Sequence, residues 1–229
     1  MDIIRDYRDK ILAEKAVKAA EKTIEVKEEK QIEQLQQKQQ NYNLYVHSID
    51  NDCKRISSLP RGDARRKLKK NEIIPQYQKY IDSYLQGDEV YKNPVLVQVM
   101  IWLFDIGDIA QALKIAHICI LQKQPMPKRF KRNLHSFIAD AVLEWCKVRE
   151  AHSKTIQPHF ANMFAKVQSW PVHDIIKMHY LKKAGWAAYV AEDNQAAFKH
   201  FTAAKKMAPY AAKVETILAK LKGRGAAEE

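Results

Sequence analysis

The chain has 229 residues, and a hydrophobic content of 46% with only 6 Gly and 8 Pro among abundant Lys, Glu, Gln and Ala points to an all-α protein with a real core. Its 39 Lys+Arg against 27 Asp+Glu, a formal charge of +12, favour an acidic partner, nucleic acid first, over the plainer reading of a solvated basic surface. Cys53, Cys119 and Cys146 are too scattered for a disulfide framework or a zinc knuckle and read as reduced thiols. Met1 to Lys10 mixes acidic and basic residues, so no signal peptide is expected, and the longest apolar run, Val99 to Phe104, is far short of a membrane span.

Residues 1–58 are expected to form a long N-terminal helical segment. Over the first forty the apolar positions Ile4, Tyr7, Ile11, Val17 and Ile24 keep no steady register, which predicts a partly frayed helix. From Ile32 the spacing becomes regular. Ile32, Leu35, Gln39, Tyr42, Val46, Ile49, Cys53 and Ile56 follow steps of three and four, a coiled-coil-like seam. Such a seam can zip onto another copy of the chain or lie on its own subunit, and the sequence leaves both open.

Residues 59–93 are expected to be a basic linker helix and an amphipathic helix. Ser57 to Pro60 ends the first helix, and Lys54, Arg55, Arg61, Arg65, Arg66, Lys67, Lys69 and Lys70 then make the densest positive segment. If helical, this run gives a solvated surface able to neutralise phosphates, which needs several cations together and no fixed spacing. Ile73, Ile74, Tyr77, Ile81, Tyr84 and Leu85 form the apolar stripe of the next helix, ending at Gly87.

Residues 94–222 read as a body of stacked helical hairpins. Val95 to Phe104 is apolar almost all round, as in a helix buried on most sides. Gly107 is placed for a left-handed C-terminal residue and Asp108 for the N-cap of a second helix through Ile109, Leu113, Ala116 and Ile120. After Pro127, Lys128, Arg129, Lys131 and Arg132 surround Phe130 in a second basic cluster. Further helices carry Leu134 to Val148, Ile156 to Val167, and Pro171 onward. Shifted by 85 positions, Asp108, Ala112, Leu113 and Lys114 correspond to Asp193, Ala197, Phe198 and Lys199. Gly185, Trp186, Tyr189, Ala197, Phe201, Ala204 and Pro209 resemble a tetratricopeptide-type hairpin, in which small residues let two helices approach closely. Residues 223–229 are expected to be a disordered tail.

Catalytic motifs are sparse. None of the glycines opens a phosphate-cradling G-x-x-x-x-G-K-[ST] loop, and the eight histidines lack metal-ligand spacing. Asp105 with Asp108 is the best local carboxylate pair for a magnesium nuclease, but a turn aspartate and a helix cap account for both. No catalytic residue, cofactor or metal is expected.

The run Trp102-Leu103-Phe104-Asp105-Ile106-Gly107-Asp108-Ile109-Ala110, with Ala112-Leu113 and Ile115-Ala116, resembles the signature of phage small terminase subunits of the cohesive-end packaging type. Lys69-Lys70-Asn71-Glu72-Ile73-Ile74-Pro75, Met126-Pro127-Lys128-Arg129 and the Asp193 to Pro209 hairpin fit the same family in order and spacing, over roughly residues 42–222. The family often ends in a long basic, Pro-rich tail, which Gly225 to Glu229 does not show. The resemblance implies a DNA-packaging adaptor in the cytoplasm of an infected bacterium. It would bind double-stranded viral DNA near the cohesive-end site, self-assemble into a homo-oligomer such as a ring, and deliver DNA to the large ATPase–nuclease subunit. No membrane partner is implied. Such relatives are sometimes labelled endonuclease subunits, so a nuclease in its own right stays an alternative, as does a tetratricopeptide-like scaffold that never touches DNA.

Overall fold

The computed structural model describes residues 3–226, with side chains in the first helix described at Lys27 and from Ile32 onward. The expected apolar positions Ile4 to Ile24 therefore lie outside the described side chains. Every described element is helical, and the protein is all-α. Two compact units are present, Met1–Lys54 and Arg55–Glu229.

The first unit is built from α1 (Ile3–Ser58), which continues into the second. Along the seam the exposure changes with position. Ile32 and Leu35 are 54% and 57% exposed, Tyr42 and Val46 are half-buried, and Ile49 is buried at 7%.

The second unit begins with a continuous helix in three parts: α2 (Asp63–Leu68), a π-helical turn (Lys69–Ile73) and α3 (Ile74–Gln86). Leu68, Lys69, Ile73 and Ile74 all keep right-handed helical angles, so no break separates the basic run from the amphipathic helix. The wider turn takes up an extra residue and shifts the helical register. From its last residue onward, Ile73, Ile74, Tyr77 and Ile81 face the core, with Tyr77 against Trp102 at a ring separation of 5.7 Å.

The central pair is α4 (Pro94–Ile106) and α5 (Ile109–Leu121). Asn93 caps α4, its side-chain oxygen accepting from Leu96 N at 3.0 Å. Val95 to Leu103 are buried without interruption, as an all-round apolar sequence requires. Gly107 takes the left-handed conformation (φ 82°), and the Asp108 carboxylate accepts from Gln111 N at 3.2 Å. Behind them, α6 (Leu134–Ala151), α7 (His159–Ser169) and α8 (Asp174–Val190) pack together. There the Tyr180 hydroxyl donates to Ala139 O at 2.9 Å.

The echo at 85 positions is structural as well as sequential. α8 and α9 (Asn194–Met207) form a hairpin closed by the same turn as α4 and α5. Asp108 N donates to Leu103 O and Asp193 N to Ala188 O, both at 3.0 Å, and Asp193 caps α9 through Ala196 N at 2.9 Å. The left-handed position is Gly107 in one turn and Glu192 (φ 61°) in the other. A short helix α10 (Pro209–Ala212) and α11 (Glu215–Gly223) close the C-terminal cluster. Ala226, within the segment expected to be a disordered tail, is buried in that cluster, and 227–229 lie outside the described residues.

Candidate nucleic-acid interface

The basic run divides sharply once its side chains are placed. Lys69, expected on a solvated surface, is instead turned inward by the π-helical turn and is 9% exposed overall. Its ammonium reaches the Asp105 carboxylate at the end of α4 at 2.5 Å. The two sequence runs that carried the family resemblance thus touch through this pair, which braces the π-helical turn against α4. Replacing Lys69 by Met keeps the stem and removes the charge. It is expected to cost about 1.5–3 kcal/mol, the range for a hydrogen bond to a charged group, because half-exposed Asp105 can regain water. Denaturant unfolding of the variant measures this.

Arg65 is also structural. Its Nε and a terminal nitrogen donate to Leu59 O and Ser57 O, both at 2.8 Å, satisfying carbonyls at the end of α1. Arg55 pairs with Glu72, with both side chains about half exposed. The solvated remainder is Arg61, Lys67 and Lys70, all exposed and without an ion pair to a described residue. Lys54 is exposed on α1, and Arg66 makes only a loose pair with Asp63 at 3.4 Å.

The second cluster splits in the same way. Arg129 donates to the buried Gln98 Oε1 and lies over the Phe130 ring at 4.9 Å, anchoring the loop after Pro127 to α4. Arg132 pairs with Asp140. Lys128 and Lys131 are exposed.

Between these runs lies a groove of about 920 Å³, and each run contributes one arginine to it, Arg66 and Arg132. Its floor and walls come from the α4–α5 turn, α6 and α8. Lys147, Arg149 and Lys183 also line it. None of these three stood out in the sequence, because Lys147 and Arg149 are scattered among acidic residues on α6 and only the packing of α8 on α6 brings Lys183 to them. Their carboxylate counterparts are close by: Lys147 meets Glu144 at 3.0 Å and Lys183 meets Glu150 at 2.5 Å. Arg149 donates to Thr155 O at 3.1 Å. Partial burial, with Lys182 and Lys147 beside it, holds His179 in this groove below its ordinary pKa.

The carboxylates singled out for metal chemistry have structural duties. Asp105 holds Lys69, and Asp108 caps α5. Among the described residues no three His, Cys, Asp or Glu side chains gather as metal ligands would. Burial pushes the Cys119 and Cys146 thiols up to about 12, whereas Cys53 is only half-buried. Thiol reagents at mildly alkaline pH are therefore expected to label Cys53 first and the other two only on unfolding, as mass spectrometry of the alkylated chain would show.

The fold and surface define a class: an all-helical protein whose exposed chemistry is cationic. A family model for the phage small terminase subunit matches residues 46–175, more than half of the 229-residue sequence, and the chain belongs to that family. The match takes in both basic runs and the central pair but not the α8–α9 hairpin as a whole. The chain is 27% identical over 145 residues to a probable terminase, endonuclease subunit, of Haemophilus phage HP1, covering 63% of this chain and 52% of that protein. It is 33% identical over 64 residues to the terminase, endonuclease subunit, of Escherichia phage P2, covering 28% of this chain and 26% of that one. The matched segment thus spans about half the length of the first relative and about a quarter of the second. No solved structure matches the chain.

Proposed function

We propose that the chain is the DNA-engaging subunit of a phage packaging terminase, binding double-stranded viral DNA and passing it to the large ATPase–nuclease subunit in the host cytoplasm. Family membership supports the packaging role. The observation that carries DNA contact is the division within the basic run. Structural demands absorb Arg65 and Lys69, yet Arg61, Lys67 and Lys70 stay solvated on a segment braced to the core. Lys67 and Lys70 stand on the helix and Arg61 in the turn that leads into it. Cations on a fixed backbone are suited to phosphates, because little side-chain order is lost beyond their own stems. Among the described residues no helix is long and apolar enough to cross a membrane. Titrating the purified chain with labelled duplex at several salt concentrations tests the reading, which requires affinity to fall steeply as salt rises.

The names of the two relatives favour a second reading, a nuclease within this chain. It requires magnesium-dependent nicking by the purified chain without the large subunit.

Self-association is proposed to run through the exposed part of the α1 seam. Ile32 and Leu35 remain open to solvent, while Ile49 and Ile56 are each 7% exposed within one chain. Lysine at Ile32 and Leu35 is expected to shift the particle to a smaller species in light scattering coupled to size exclusion, without loss of the folded body. An unchanged mass would remove α1 from the assembly interface. Lysine at Ile49 would be a poorer probe, since it would also place a charge in a buried position.

A further inference from the structure

The groove between the basic runs holds chemistry that duplex binding leaves unused. Phe104, Phe137 and Trp145 line it, each half-buried with part of its surface left to the cleft. Phe137 is fixed edge-on between Phe104 and Phe130, at ring separations of 6.0 and 5.4 Å, so its ring is held in place before anything binds. Among the rings stand Arg66, Arg132, Lys147, Arg149 and Lys183, with Asp105, Asp140 and Glu144 set against them. Three carboxylates stand against five cations, and partial burial disfavours the charged form of His179, so the cleft is only mildly positive.

A duplex keeps its bases stacked inside and shows a protein its phosphates and groove edges. Rings recessed in a cleft between cations have no partner on such a ligand. Unpaired nucleotides offer both halves of the match, base faces for the rings and phosphates for the cations. Partial neutralisation fits this division, because a site working by charge alone gains nothing from three carboxylates in its walls. The volume of about 920 Å³ is near the top of the range of small-molecule clefts, roughly 300–1,000 Å³. That is room for a few linked nucleotides.

We propose that this groove binds a single-stranded stretch of nucleic acid, with bases stacked on Phe104, Phe137 and Trp145 and phosphates met by Arg132, Lys147 and Arg149. The inference shares with the proposed function only that the ligand is nucleic acid. Duplex binding is assigned to Arg61, Lys67 and Lys70, so either reading can fail alone.

The test uses the full chain and a short fluorescent oligothymidylate, with an abasic strand of the same length and an acidic polypeptide as competitors. Binding should quench tryptophan fluorescence, and the abasic strand should compete about tenfold less well, the loss expected when stacking is removed. Phe137→Leu keeps an apolar side chain and should weaken oligothymidylate about tenfold while duplex affinity holds. Lys147→Gln, at a side chain 68% exposed, should weaken it several-fold without disturbing the fold. Alanine at Arg61, Lys67 and Lys70 should weaken duplex and spare oligothymidylate. Equal competition by the abasic strand or the polypeptide would overturn the proposal, leaving an anion or peptide site. So would unaltered oligothymidylate binding by Lys147→Gln, which decides the matter should Phe137→Leu fold poorly.

Discussion

Phe201→Ala is expected to cost about 3–5 kcal/mol, the range for truncating a buried aromatic ring. Phe201 is fully buried in the C-terminal cluster, edge-on to Trp186 at 5.3 Å, and its ring lies against Gly185. A Cβ built on Gly185 would come within 2.9 Å of that ring, closer than side chains approach. Gly185 is therefore a packing glycine, and it sets how closely α8 and α9 approach. The two positions predict a reversal. In the parent, Gly185→Ala should destabilise, because overpacking by about 1–3 kcal/mol outweighs the helix propensity of about 0.5–1 kcal/mol gained by replacing glycine. With Phe201→Ala already present the clash is gone, and Gly185→Ala should stabilise. In a unit of this size, the destabilisation at Phe201 corresponds to a fall in Tm of roughly 6–20 °C. Melting the four members of this cycle checks both claims, and an additive result would show that the two residues do not meet as described.

Gly185 belongs to what was legible in the sequence, since a small residue in a helical hairpin has few reasons to be there except close approach. The central pair was legible too. An all-round apolar run, a glycine and an aspartate in that order carry their own backbone chemistry, and Gly107 and Asp108 take the left-handed and capping positions expected of them. The basic run was legible as a cluster but not as individual roles. A regular helical period cannot register the π-helical turn that carries Lys69 inward. An arginine that satisfies helix-end carbonyls looks the same in sequence as one that faces phosphate, and Arg65 is of the first kind. The groove was not legible at all. Arg66, Arg132, the Lys147–Arg149 pair on α6 and Lys183 come from separate stretches of the chain, and no local pattern signals that helix packing will bring them together.

The same division within the basic run gives the most direct measurement of DNA binding. Changing Arg61, Lys67 and Lys70 to alanine removes three solvated charges and no described ion pair. Alanine suits the helix at Lys67 and Lys70, and Arg61 is an exposed turn residue, so stability should move by no more than about 0.5 kcal/mol. Each phosphate left without its cation lowers the slope of log affinity against log salt by about 0.9, hence about 2.7 for all three. Binding should weaken for every duplex sequence alike, because phosphates carry no sequence information. Lys69→Met supplies the contrast: it removes one charge from the same run and lowers stability, yet should leave the slope of the folded protein unchanged. The decisive experiment is a titration of labelled duplex across a salt series with the parent, the triple variant and Lys69→Met. A much shallower slope in the triple variant alone is the predicted result. A triple variant that binds duplex with the parent's affinity and slope would contradict the account and take this segment out of the DNA interface.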